Sequence, residues 1–232
     1  MKTENIEIGG IPAVIFGDNS LKVFLFIHGQ GGSKDEAGRF AEIAVPFGYQ
    51  VLGIDLPEHG GRQDGAKFLP WEVVPELEHV MKYAKGRWGS ISIRAISIGA
   101  WFSMLAFKGE KIDKCLFSSP LVDMENMISN LMKWSGVSEE RLQKEKEIPT
   151  DFGQTLSWRY LCYAREHKVH AYCQDTAVLY ATGDELIPKT VIERFVSDNS
   201  CRIQLIDGGE HWLYTPDEIE IMNRWEEKEL KF

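Results

Sequence analysis

A chain of 232 residues is long enough to bury a core without disulfide or metal staples, and one α/β domain can hold it. Apolar residues make up 44% and charged residues 26%, the balance of a soluble globular protein. The net charge of −9 argues against nucleic acid and anionic membrane surfaces as partners, because both are polyanions.

The opening "MKTENIEIGGIPAVIFGDNS" has no continuous apolar core behind a basic end, so no signal peptide is expected, and no run reaches the length of a bilayer span. Cys115, Cys162, Cys173 and Cys201 lack CxxC or any other metal-type spacing. Scattered cysteines in a chain of this size fit free thiols in a reducing compartment, so a cytoplasmic location is expected.

In chain order, "ENIEIGGIPAVIF" reads as two short strands joined at Gly9-Gly10. "KVFLFIHG" is a nearly all-apolar strand ending at His28-Gly29. A helix follows, with Ser33 as N-cap and Glu36 completing a capping box, until Gly48 stops it. "YQVLGIDLP" is a strand, followed by a glycine-rich loop and a helix around "WEVVPELEHVMKYAKG". "SISIRAIS" is the next strand, "IGAWFSMLAFKG" an apolar helix and "DKCLFSSP" a further strand. Later come the strand "TAVLYATGD", a helix opened by Pro188 and the strand "CRIQLIDG". The last helix begins with Thr215 as cap, Pro216 in the first turn and Glu218 as capping-box acid. Continuous apolar strands alternating with helices predict a parallel sheet covered on both faces, in a single domain.

Residues from about 120 to 174 break that rhythm. No convincing strand occurs there, and consecutive helices are expected, either as an inserted helical cap or as a longer connecting helix with a surface loop.

In an open parallel sheet, ligands bind beyond the carboxyl ends of the strands. The polar residues at such ends are His28, Ser97, Asp123, Asp184 and His211. Serine is a weak nucleophile unless a base takes its proton, and that base needs an orienting acid. The order Ser97, Asp184, His211 supplies all three.

Here the chain resembles the α/β-hydrolase superfamily over nearly its whole length. The nucleophile elbow appears as Ala95-Ile96-Ser97-Ile98-Gly99, with Ala95 in place of the first glycine. The oxyanion-loop motif appears as His28-Gly29-Gln30-Gly31-Gly32. "DLPEHGGR" is similar to the Asp-x-Pro-x-His-Gly segment of many small esterases, "GDELIP" to the acid loop and "GGEHW" to the histidine loop. The resemblance implies an α/β-hydrolase fold: a mostly parallel eight-stranded sheet with helices on both faces and a short helical cap insertion. It also implies a serine hydrolase acting on an ester-like bond. Ser97 would be the nucleophile, His211 the base and Asp184 the orienting acid. The backbone N–H groups of Gln30 and Ile98 would form the oxyanion hole. Asp123 competes for the acid, since some members carry it after the sixth strand. A thioesterase, peptidase or acyltransferase with the same triad, and a non-catalytic binder on the same fold, remain alternatives.

Other residues have structural readings. Arg94, a charge on a buried strand, needs either an ion pair with an acid that the sequence does not identify or a substrate carboxylate. His28 is expected to shape the oxyanion loop and His59 its glycine loop, while His79, His167 and His170 read as solvated. Trp101, Met127, Trp134 and Trp212 are candidate substrate contacts, forming an apolar wall suited to a small ester of short to medium acyl length. Metal and cofactor are expected to be none: the histidines lack paired spacing, and "GQGG" matches no nucleotide loop.

Overall fold

The computed structural model of the protein describes residues 1–231. Gly9 and Gly10, both at positive φ, turn the chain between β1 (Thr3–Ile8) and β2 (Ile11–Phe16), which pair antiparallel as the expected hairpin. β3 (Lys22–Ile27) is buried beyond its first residue. The helix after it begins later than the predicted capping box places it. Ser33 accepts the N–H of Asp35 at 3.3 Å and opens a single tight turn, and α1 (Ala37–Ala44) starts only after that turn. Asp55 accounts for the tightening, since its buried carboxylate takes both the backbone N–H of Lys34 at 2.8 Å and its Nζ at 3.1 Å.

β4 (Gln50–Ile54), α2 (Pro70–Arg87), β5 (Ser90–Ile96), α3 (Ile98–Ala106) and β6 (Cys115–Ser118) follow in the order the apolar runs predict. Next come α4 (Met124–Trp134), α5 (Glu139–Glu145), β7 (Glu147–Pro149), β8 (Thr155–Ser157) and α6 (Trp158–Glu166). β9 (Thr176–Ala181), α7 (Lys189–Asn199), β10 (Arg202–Ile206) and α8 (Pro216–Leu230) close the chain. Thr215 and Glu218 form the expected capping box at the start of α8.

Among the described residues the main sheet has eight strands in the order β1-β2-β4-β3-β5-β6-β9-β10. Every pair from β4 to β10 is parallel, and β2 runs antiparallel to both of its neighbours. β3 and β5 lie side by side near the middle, so both carboxyl ends open on the same edge. Among the described residues no helix is long and apolar enough to cross a membrane.

The chain divides into two compact units. Val122–Val169 forms the smaller one, with α4 packed on α6 and the ion pairs Arg165–Glu125 and Arg165–Glu139. It holds three helices, as expected, but also an antiparallel ribbon of β7 and β8, which corrects the expectation that the segment has no strand. Strands of three residues around the turn "TDFGQ" are too short to display an alternating pattern.

The remainder of the chain contains the sheet and the partner that Arg94 requires. Arg94, fully buried on β5, donates from Nε to Glu226 of α8 at 2.8 Å. Arg39 of α1 grips the same carboxylate with both Nη atoms at 2.8 Å each. Burial alone would raise the carboxyl of Glu226, but the two guanidinium groups outweigh it and hold the acid below its ordinary range. Arg94 is therefore a buried structural charge.

Candidate active site

Ser97 sits where β5 ends and α3 begins, at φ 51° and ψ −124°, a conformation that costs a residue with a Cβ about 1–3 kcal/mol. Its neighbours hold the strain. The N–H of Ser97 donates to the carbonyl of Ser118 at 3.1 Å, and its own carbonyl accepts the N–H of Leu121 at 3.0 Å. Gly99 permits the turn, because a Cβ there would lie 2.4 Å from the carbonyl oxygen of His28. Ala95 is fully buried in the elbow, with room for its single methyl.

Two loops meet this serine. Beyond β9, Asp184 accepts the N–H groups of Leu186 at 2.8 Å and Ile187 at 3.0 Å on Oδ1, leaving Oδ2 for another donor. Beyond β10, His211 donates from Nδ1 to that oxygen at 2.7 Å. A carboxylate only accepts, so the proton belongs on Nδ1 and Nε2 is free to accept. Ser97 Oγ lies 2.8 Å from Nε2 and donates to it. All three side chains are buried. Asp123 instead caps α4, accepting the N–H of Asn126 at 3.0 Å.

Several residues to which the sequence reading gave no part in the site set this alignment. A Cβ on Gly183 would meet the carbonyl oxygen of Gly209 at 2.8 Å, so the acid and histidine loops touch through a glycine. Tyr180 ties the acid loop down by donating to the carbonyl of Ile187 at 2.8 Å. Glu218 accepts the N–H of Thr215 at 3.0 Å, anchoring the end of the histidine loop to α8.

His28 is neutral and structural. Its Nε2 accepts the N–H of Leu56 at 3.0 Å and its Nδ1 donates to the carbonyl of Gly29 at 2.7 Å, fixing the loop that carries Gln30. Gly29 lies against the elbow, for a Cβ there would sit 3.3 Å from the Cβ of Ser97. The N–H groups of Gln30 and Ile98 have no hydrogen-bond partner among the described residues. Burial lowers the His28 pKa from 6.5 to about 4. The unfolded chain therefore takes up this proton first, and the contribution to stability is full above pH 6.5 and lost as the pH falls toward 4. Urea unfolding over this range is expected to show about 3 kcal/mol of acid-induced loss that a His28→Asn variant lacks. Identical slopes in the two proteins would refute this assignment.

Ser97 and His211 border a cavity of about 410 Å³. Phe26, Ile96, Leu213 and Met222 give it apolar walls, while Glu36 and Arg39 add charge. Trp212 lines it too, 48% exposed and edge-on to the His211 ring at 4.9 Å. Trp101 is a different case. Only 1% exposed, it packs beside Phe102 in the core and does not line the cavity, because α3 is buried on almost every side. Met127 is half-buried on α4, and Trp134 ends that helix 54% exposed.

No protein-family model and no curated protein matches the sequence. Solved structures do match. The alpha/beta hydrolase domain-containing protein 10 from mouse gives a TM-score of 0.77 at 12% identity, over 100% of this chain and 99% of its own. Est1E from Butyrivibrio proteoclasticus, with ferulic acid bound, gives 0.75 at 20% identity over 97% and 96%. A Pyrococcus furiosus esterase gives 0.70 at 15% identity over 99% and 90%. At these identities the likeness is one of architecture, and the chain has the α/β-hydrolase fold.

Proposed function

We propose that this protein is a serine hydrolase that cleaves a small carboxylic ester through an acyl-enzyme. The observation that carries the reading is the continuous hydrogen-bonded chain from Ser97 Oγ through His211 to Asp184. In this reading Oγ attacks the ester carbonyl as its proton passes to Nε2, and the imidazolium returns that proton to the departing alkoxide. Asp184 keeps the imidazole in the accepting tautomer and balances its charge. The N–H groups of Gln30 and Ile98 receive the oxyanion, an interaction worth about 3–4 kcal/mol per donor of barrier. Water then enters by the same route and releases the acid.

A cavity of about 410 Å³ with mostly apolar walls favours a short or medium acyl group over a long chain. The ferulic acid held by Est1E is in keeping with a small acid as product.

A fluorophosphonate probe is expected to label the native protein and to spare Ser97→Ala. The kcat/KM over p-nitrophenyl esters should peak at short to medium acyl length. Folded protein that neither reacts with the probe nor turns over any ester would remove the proposal.

A further inference from the structure

One cation in the cavity beside Ser97 has no part in the reaction above. Arg39 lines that cavity with its side chain 28% exposed, whereas its partner Glu226 is fully buried. A guanidinium carries five N–H donors in a rigid plane. Glu226 engages one on each Nη and Asn223 takes the second on Nη1. The N–H of Nε and the remaining one of Nη2 have no partner among the described residues, and together they form one edge of the plane. That edge has the spacing of a carboxylate. Glu226 and Asn223 thus leave that edge as the unengaged part of a guanidinium whose side chain is partly exposed and lines the cavity.

We propose that Arg39 is a specificity-determining residue that binds a carboxylate on the acyl chain of the substrate, making hemi-esters of small dicarboxylic acids the preferred substrates. This rests on the ester-hydrolysis reading. The acyl side is favoured because Phe26, near the end of β3, and Ile96, the residue of β5 that precedes the nucleophile, share the cavity with Arg39. The acyl group passes to Ser97 Oγ as the alcohol leaves with the proton relayed by His211, water then displaces Ser97 from the acyl carbon, and a dicarboxylate is released.

Glu226 is the shared counter-ion of two guanidinium groups, and Glu36 is a further acid that acts on both of them through space without engaging the open edge of Arg39. Glu36 faces the same cavity without an ion pair or hydrogen bond to Arg39, its carboxylate instead turned toward Gly32, where a Cβ would lie 2.6 Å from Oε1. Desolvation raises its carboxyl above the ordinary range, against the pull of Arg39 and Arg94.

The test compares monomethyl succinate, glutarate and adipate with methyl esters of unsubstituted acids of equal chain length, followed by proton release. At the chain length that spans serine to guanidinium, kcat/KM for the hemi-ester is expected to exceed that of its neutral partner about tenfold. Arg39→Lys keeps a positive charge but not the two-donor edge, and is expected to lower this ratio about tenfold. A ratio of one or less at every length in the native protein, or a ratio that Arg39→Lys preserves, overturns the proposal. Calorimetric titration of Ser97→Ala with succinate, glutarate and adipate separates this proposal from the hydrolase reading. Binding that weakens in the Ser97→Ala, Arg39→Lys double variant supports the carboxylate site even if no ester is turned over. Binding to neither variant, or equally to both, removes it.

Discussion

Asp184→Asn is expected to lower kcat on a small ester by about ten-thousandfold while leaving the fold intact. The geometry dictates this more sharply than simple loss of charge. Oδ1 of Asp184 is held by the N–H groups of Leu186 and Ile187, which only an oxygen can satisfy. An asparagine must therefore place its amide oxygen there and turn its NH₂ toward His211 Nδ1. Two donors would then face each other unless the imidazole shifts its proton to Nε2. In that tautomer Nε2 can no longer accept from Ser97 Oγ, now 2.8 Å away. Asp123→Asn serves as the control. Asparagine caps a helix as well as aspartate does, so α4 should persist and kcat should stay near native. Steady-state kinetics with thermal unfolding of both variants decides the matter. A near-native Asp184→Asn beside a dead Asp123→Asn would transfer the role of orienting acid.

Such a test can be framed because much of the site was legible in the residues. Ser97, Asp184 and His211 each follow a strand whose apolar run marks its carboxyl end, and the parallel sheet brings those ends to one edge. What the residues did not display were relations between distant segments. Trp101 reads as a substrate contact because it lies near Ser97 in sequence, yet a helix apolar all round has no solvent face, and the indole goes into the core. Trp212, in a loop, does reach the cavity. Arg94 announced a missing acid but not its identity, since Glu226 lies 132 positions away on a helix rich in acids. Ser33 carried a capping-box pattern, and only the buried Asp55 beneath Lys34 shows why the turn winds tighter.

Glu226→Gln is expected to lower the unfolding free energy by about 3–5 kcal/mol at neutral pH, the usual cost of leaving a buried charge uncompensated. Arg39 can turn its open side to water. Arg94 cannot, for it is fully buried between Trp225 and Phe40, with ring centroids 5.5 and 5.9 Å from its guanidinium carbon. Its other contacts, Nη1 to the Ala95 carbonyl and to Ser118 Oγ at 3.0 Å each and Nη2 to Met222 Sδ at 3.4 Å, satisfy donors without balancing the charge. The pH dependence follows from the acid held below its ordinary range. The stabilisation from ionised Glu226 is complete above the pKa of an unfolded glutamate and is lost as the pH falls through the lower folded value. The gap between native and variant should therefore be widest near neutrality and narrow in acid. Replacing both partners, as Arg94→Met with Glu226→Leu, should recover much of the loss, because an apolar pair of similar volume carries no desolvation cost. The Ser118 strand that Arg94 contacts also accepts the N–H of Ser97, so the elbow shares this support. Urea unfolding of the three proteins across the acid range is the measurement. A Glu226→Gln variant as stable as the native protein would mean that the Arg94 charge is solvated or otherwise balanced, and that the elbow does not depend on this pair.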